Sequence, residues 1–340
     1  MKMSRGLFTV VGVVVAGSLI GYLATRQPER VGAGDGAADP SEAAAGDASR
    51  RSDGDVAAAG RKSEPRPDIY FLPEAGTSRQ DRVELLSRRQ PTINGSRRVG
   101  NSRPVTTADE GDFMNPRWSP DGLEVMFSRP GHSGLFVKSV RGGEIRMITD
   151  LEGVGFNAHF NDEGDIVVKL ESGETQVFKA DGTPVEGVSS DPAKGAAGAF
   201  TKDDTLYYRP AAGAPAVMIS DGNDRYYGGK VSPDGEHIVY NGVMTGLFIK
   251  RTDGTGGAVS LGEGYSPSWL PDGSGVVYNL SVDDGHNLIA SDLYLASVDG
   301  KEISNLTNSP EVIELNPSVS PGGGEVAYEV DGVVWVSQLF

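Results

Sequence analysis

From about residue 109 to the C-terminus, apolar and polar positions follow one order that returns again and again. An inward-reading segment, Asn115-Pro116-Arg117-Trp118, runs into the turn Ser119-Pro120-Asp121-Gly122 and then into an alternation, Val125 and Phe127. Proline fixes φ in the turn, the aspartate can cap its amides and glycine accepts a positive φ, so the segment predicts a β-hairpin. Related segments start at Asn157, Gly198, Gly229, Pro267 and Asn316, which makes six copies. Each is followed by its own alternation: Ile166/Val168, Leu206/Tyr208, Ile238/Tyr240, Val276/Tyr278 and Val326/Tyr328. Third strands then begin near Leu135, Gln176, Val217, Leu247, Leu293 and Val334, and fourth strands lead on, as at Ile145–Thr149 and Ile303–Thr307.

Four short strands in a unit of about 39 residues is the period of propeller blades. The expected fold is all-β: a six-bladed β-propeller of four-stranded antiparallel blades over 109–340. The last unit, Asn316–Phe340, supplies only three strands, so Ser102–Thr107 is expected to close the ring as its outer strand, removing an exposed edge. Asp68–Leu72 also reads as a strand. A seven-bladed ring, with 67–108 as a degenerate blade, is the structural alternative.

The N-terminal third follows a different pattern. Leu7–Ala24 runs 18 residues without a charge, behind Lys2 and Arg5. At ~1.5 Å per residue it approaches the thickness of a bilayer core, and it exceeds a signal-peptide core. Residues 1–25 are therefore expected to be a retained transmembrane signal anchor, with cleavage and secretion as the alternative. The flanking charges place the N-terminus inside and the remainder outside, in the periplasm of a Gram-negative cell. Residues 26–66 are an Ala/Gly/Asp-rich linker with too little apolar surface to fold. Residues 67–108 form an Arg-rich extension, whose arginines either face water or lie against the acidic body that follows.

Charge sharpens this division. The 340-residue chain has a net charge of −16, and residues beyond 110 hold 15 Lys+Arg against 33 Asp+Glu. An acidic body repels phosphate backbones, so no nucleic acid is expected as partner. With no cysteine, disulfides and thiolate metal sites are excluded.

The Ser-Pro-Asp-Gly turns at 119–122 and 232–235, the Leu-Pro-Asp-Gly at 270–273, and Asp292-Leu-Tyr-Leu-Ala-Ser-Val-Asp-Gly followed by Asn305-Leu-Thr resemble the TolB-type, WD-like propeller repeat. That repeat occurs in bacterial TolB proteins and in the propellers of prolyl-oligopeptidase relatives. The resemblance covers essentially all of 109–340. It implies the propeller fold and, by analogy with TolB, a role in envelope protein complexes. TolB itself resembles a propeller preceded by a small α/β domain, which the anchor, linker and Arg-rich arm do not match. A hydrolase domain is not expected either: no Gly-x-Ser-x-Gly elbow is present, and Gly131-His132-Ser133-Gly134 resembles one only superficially.

No catalytic constellation is expected. The histidines lack metal-ligand spacing. The loop Asp283-Asp284-Gly285-His286-Asn287 is a conceivable Ca²⁺ site, but it lacks the ligand order of an EF-hand and reads as a solvated turn. No other cofactor is implied. The turn aspartates Asp121, Asp234, Asp272 and Asp299 read as caps. Binding is expected instead at one mouth of the channel. There Phe113, Met114, Phe156, Tyr226, Tyr227, Tyr265 and Leu315 interleave with Asp112, Arg225, Glu263 and Glu314, while Arg117, His159 and Lys230 open the inward strands. Aromatic residues rimmed by charge suit a protein or peptide partner; the competing expectation is that these side chains only fill space between blades. The functional expectation is a non-catalytic periplasmic binding propeller held at the inner membrane. A calcium-dependent propeller hydrolase or lyase and a small-ligand sensor are the alternatives.

Overall fold

The computed structural model describes residues 78–170, 174–185, 197–283 and 287–340. The expected anchor, the linker and the strand at Asp68–Leu72 lie outside the described residues. Among the described residues no helix is long and apolar enough to cross a membrane.

Six antiparallel sheets form the blades of the propeller. Blade one comprises Met114–Trp118, Glu124–Arg129, Ser133–Ser139 and Arg146–Thr149. Blade four comprises Tyr226–Val231, His237–Gly242, Gly246–Arg251 and Val259–Gly262, and blade five Tyr265–Trp269, Gly275–Asp283, Leu288–Ser297 and Ile303–Asn305. Blade six combines Glu314–Val319, Glu325–Val330 and Val333–Leu339 with Val99–Pro104, which pairs antiparallel to the last of these. The closing strand thus lies three residues earlier than expected, because Val105 and Thr106 leave the register to bond the Val334 carbonyl.

Two expectations are corrected. Blade three (Gly198–Lys202, Thr205–Arg209, Val217–Met218) has three strands, not four; blade two shows three (His159–Phe160, Ile166–Lys169, Thr175–Phe178), and residues 186–196 that follow it lie outside the described residues. There is no seventh blade among the described residues either. The described part of the Arg-rich extension is a helix, Arg79–Arg89, followed by a segment that runs along the outer edges of blades five and six. Ser78 caps the helix: its hydroxyl accepts from the Asp81 amide, and the Asp81 carboxylate accepts from the Ser78 amide, at 3.2 and 3.1 Å. Leu86, 2 % exposed, inserts into a cluster that includes Tyr278, Val282, Ile289 and Tyr294 of blade five. The segment beyond bonds the outer strand of blade five through Asn94, Gly95 and Arg97. A sheet edge that would otherwise be open is thereby covered.

The turns behave as their sequence requires. Asp121, Asp234, Asp272 and Asp299 each accept an amide two residues on, at 2.9–3.1 Å. The glycines that follow in the first three, Gly122, Gly235 and Gly273, hold φ of 71–76°. Five apolar clusters fill the interfaces 6–1, 1–2, 3–4, 4–5 and 5–6. Among the described residues none joins blades two and three.

A candidate site at the channel and its rim

The inner strands of blades one, four, five and six share one distortion. Asn115, Gly228, Ser266 and Asn316 take φ of 50–69°, and the pairing register skips just after each of them. These are β-bulges, which bend the strand and re-aim the residues that follow. Asn115 and Asn316 tolerate the left-handed region that the bulge requires, whereas Asn157, at φ −112°, does not enter it.

The bulges also allow the blades to be fastened to one another. In blades four, five and six the residue after the strand-two aromatic reaches forward: Asn241 Nδ2 donates to Gly264 O at 2.7 Å, Asn279 Oδ1 accepts from Asn316 N at 3.3 Å, and Glu329 Oε2 accepts from Asn115 N at 2.7 Å. The indoles reach back, Trp269 Nε1 to Lys230 O at 2.9 Å and Trp118 Nε1 to Ser318 O at 3.0 Å. Four blades and the seam at which the ring closes are pinned in this way, so the positions between the pins are held on a rigid wall.

Arg117 and Lys230 project from the inner strands of blades one and four, opposite each other in the ring. Lys230 Nζ donates to Pro267 O at 2.7 Å and Arg117 Nη1 to Pro116 O at 2.9 Å. Lys230 is exposed to water, as expected for a side chain that opens onto a channel. Desolvation, and then repulsion from Arg117, pulls its ammonium below the ordinary lysine value; water in the channel tempers the fall. Desolvation likewise lowers Arg117, with buried Glu329 acting in the opposite sense. His132 is buried beside this group. The Asn115 amide donates to its Nδ1 at 2.8 Å, which leaves the proton on Nε2, and burial, then Arg117, lowers its pKa.

The rim residues divide. Phe113 and Met114 are buried, and Phe113 packs edge-on against Phe127 and Phe136 at 4.7 and 5.6 Å. Tyr226 is buried too, its hydroxyl bonded to Asp221 and its ring edge-on to Tyr240 at 5.7 Å. Phe113 and Tyr226 fill the interfaces between blades six and one and between blades three and four. Leu315 is half-buried, opposite Glu329. Phe156 is 41 % exposed, its ring edge-on to His132 at 5.5 Å, and exposed His159 bonds through Nδ1 to Asn157 O. Arg225 is exposed.

Tyr227 and Tyr265, both half-buried, come together in a cleft of about 110 Å³ at the rim of blades four and five, with Arg89, Asn241, Met244, Glu263 and the Gly264 backbone. Met244, on a turn fixed by Asp224, is 83 % exposed. Burial, then the neighbouring Tyr265 and Asp224, pushes the Tyr227 phenol up to about 12, and burial raises Tyr265, so both hydroxyls remain donors. Arg89 comes from the N-terminal helix and pairs with Glu263 at 3.1 Å and Asp283 at 3.7 Å. Sequence reasoning placed both tyrosines and Glu263 at the rim, but neither Arg89 nor Met244. Arg89 was legible as part of the basic run; nothing in the pattern showed which arginine would meet the rim.

Glu314 was expected among the rim charges and is instead 4 % exposed. Its carboxyl bonds the Ser309 hydroxyl and, at 3.3 Å, that of Thr307, which also reaches buried Asp292 at 3.4 Å. Burial, and beyond it repulsion from Asp292, raises Glu314 to about 8. Asp292 is further bonded to Asn305 Nδ2 at 2.8 Å and Ser309 N at 2.9 Å, so it belongs to this network. Residues 284–286 of that proposed loop lie outside the described residues. Among the described residues Asp234, Glu236 and His237 form a group with metal-ligand spacing. They sit on a blade-four turn where Asp234 already accepts from Ser232 and the Glu236 amide.

Fold and site define a six-bladed β-propeller with a charged channel and an aromatic cleft at its rim. No family model and no curated protein matches the chain. Among solved structures it is similar to one from Agrobacterium tumefaciens assigned to TolB, with 19 % identity and a TM-score of 0.32, covering 69 % of this chain and 79 % of that one. It is also similar to a gluconolactonase from Xanthomonas campestris, with 11 % identity, a TM-score of 0.46 and coverage of 72 % and 98 %. An oligogalacturonate lyase from Vibrio parahaemolyticus gives 10 %, 0.41, 72 % and 97 %. Similarity at this level says nothing about activity, and these neighbours include enzymes.

Proposed function

We propose that this protein is a non-catalytic binding propeller that captures a protein or peptide at the Tyr227–Tyr265 cleft. The observation that carries this reading is the cleft itself. At about 110 Å³ it is well below the roughly 300–1,000 Å³ of small-molecule sites, and its volume suits one anchoring side chain of a larger partner. Two phenols, a flexible methionine and an arginine are the residue types that dominate such anchors. Backbone at Gly242, Gly246 and Gly264 lets a peptide approach closely. In this reading the uncharged run Leu7–Ala24 holds the propeller at the inner membrane, on the periplasmic side, and the linker gives it reach in an envelope complex.

The test is selection from a random peptide library on the immobilised protein. Selected peptides are expected to share one apolar or aromatic anchor, and Tyr227→Ala with Tyr265→Ala should weaken them at least about tenfold, or by roughly 1.4 kcal/mol, without lowering the Tm. Peptides that bind the double variant equally well would remove the cleft from the account.

A further inference from the structure

The body of the protein is acidic, but its innermost wall is not. Six positions share one register on the inner strands, each opposite the residue before the strand-two aromatic or its equivalent: Arg117, His159, Phe200, Lys230, Ser268 and Ser318. None is an acid, and three carry basic groups. Ser268 and Ser318 are engaged by the amides of Val319 and Trp118 in neighbouring blades. The polar side chains left to the channel in this register are thus Arg117, His159 and Lys230.

Arg117 and Lys230 hold the same register position on the inner strands of opposite blades, and so face each other across the ring. Lys230 Nζ has one protein partner, a carbonyl, and an ammonium carries three donors. Arg117 commits one of its five donors to Pro116 O. Glu329 offsets part of the Arg117 charge from the blade-six seam, while His132 behind it is neutral. Two cations on facing sides of a pinned ring, each with donors to spare, are arranged for an anion.

We propose that the central channel binds a small multivalent oxyanion, such as a di- or tricarboxylate or a phosphate-like group, between Arg117 and Lys230. The guanidinium supplies a planar pair of donors and the ammonium a point charge from the facing wall. The bound anion screens the two cations from each other and favours the protonated lysine. Binding therefore takes up protons when the pH lies above the pKa of the free lysine, and it is tighter at lower pH. This inference does not rest on the rim cleft.

The experiment uses the purified full-length chain, with sulfate and citrate as probes at an ionic strength fixed with sodium chloride. Calorimetry is run in buffers of different ionisation enthalpy, and melting is followed in parallel. Sulfate is expected to bind saturably, about tenfold tighter at pH 6 than at pH 8.5, with proton uptake at the higher pH. Arg117→Gln and Lys230→Gln should each weaken binding about tenfold or more. Lys230→Arg should keep binding and abolish the proton uptake, a result that a merely misfolded variant does not give. Arg103→Gln, which removes a surface pair with Glu325, should change nothing. No saturable binding of either anion, or binding that survives in the Arg117→Gln/Lys230→Gln double variant, would overturn the proposal. So would binding of acidic peptides without binding of sulfate or citrate, since the charge would then serve a macromolecular partner.

Discussion

Blade five and blade three are built from the same repeat and end as different objects. Blade five carries strands of 9 and 10 residues, almost wholly buried, with the N-terminal helix seated on them and the arm along their edge. Blade three has strands of 5, 5 and 2 residues, half-buried and partly exposed. Tyr278 and Tyr294 stack at 5.8 Å in a closed core, whereas Phe200 and Tyr207 stack at 5.6 Å where water reaches them. The repeat sets the shape of a blade, but its stability depends on what covers it. The rim cleft lies on the covered side, so in the proposed function its surface is held in place before a partner arrives.

The largest expected effect separates the two blades directly. Tyr278→Ala should cost roughly 3–5 kcal/mol and Tyr207→Ala roughly 1 kcal/mol, measured by denaturant unfolding. Equal costs would erase the distinction. Tyr278→Phe sharpens it: the buried hydroxyl has no hydrogen-bond partner, so its removal should stabilise by roughly 1 kcal/mol. Next, Leu86→Ala should cost roughly 2–4 kcal/mol if the helix is integral to blade five, and hydrogen exchange should then rise in blade five and not in blade three.

A smaller effect depends on pH. The Glu314 carboxyl is raised in the fold, so its stabilising share is complete below its ordinary value of 4.5 and is lost as pH rises through about 8. Glu314→Gln should therefore leave the Tm nearly unchanged at pH 4 and raise stability by roughly 2 kcal/mol at pH 9. A variant with the same pH profile as the parent would show that Glu314 is ionised throughout. Smallest, Asp121→Ala removes a turn cap and should cost roughly 1 kcal/mol in blade one.

What could be read from the sequence follows the same division. The turns were legible because Pro, Asp and Gly each meet a local backbone demand, and Asp121, Asp234, Asp272 and Asp299 cap as their positions predict. Six blades followed from the spacing alone. The helix at 79–89 was missed although Ser78 and Asp81 spelled its capping box, because the arginines around it concealed its short apolar face. Phe113, Met114 and Tyr226 looked like rim residues because distance along the chain from an inner strand does not say which way a side chain turns. The bulges settle that, and they arise from backbone pairing that no single residue announces. Glu314 was hidden for a related reason: its burial depends on Thr307 and Ser309 from a loop whose path is tertiary.

The central claim is that the cleft on the covered side receives the partner, and crosslinking in the cell tests it most directly. A photoreactive residue in place of Met244 should yield a discrete adduct that disappears with Tyr227→Ala and Tyr265→Ala, while the same probe in place of Met218 on blade three yields none. An adduct from position 218 and none from position 244, or an adduct at 244 that is indifferent to both tyrosines, would contradict the account.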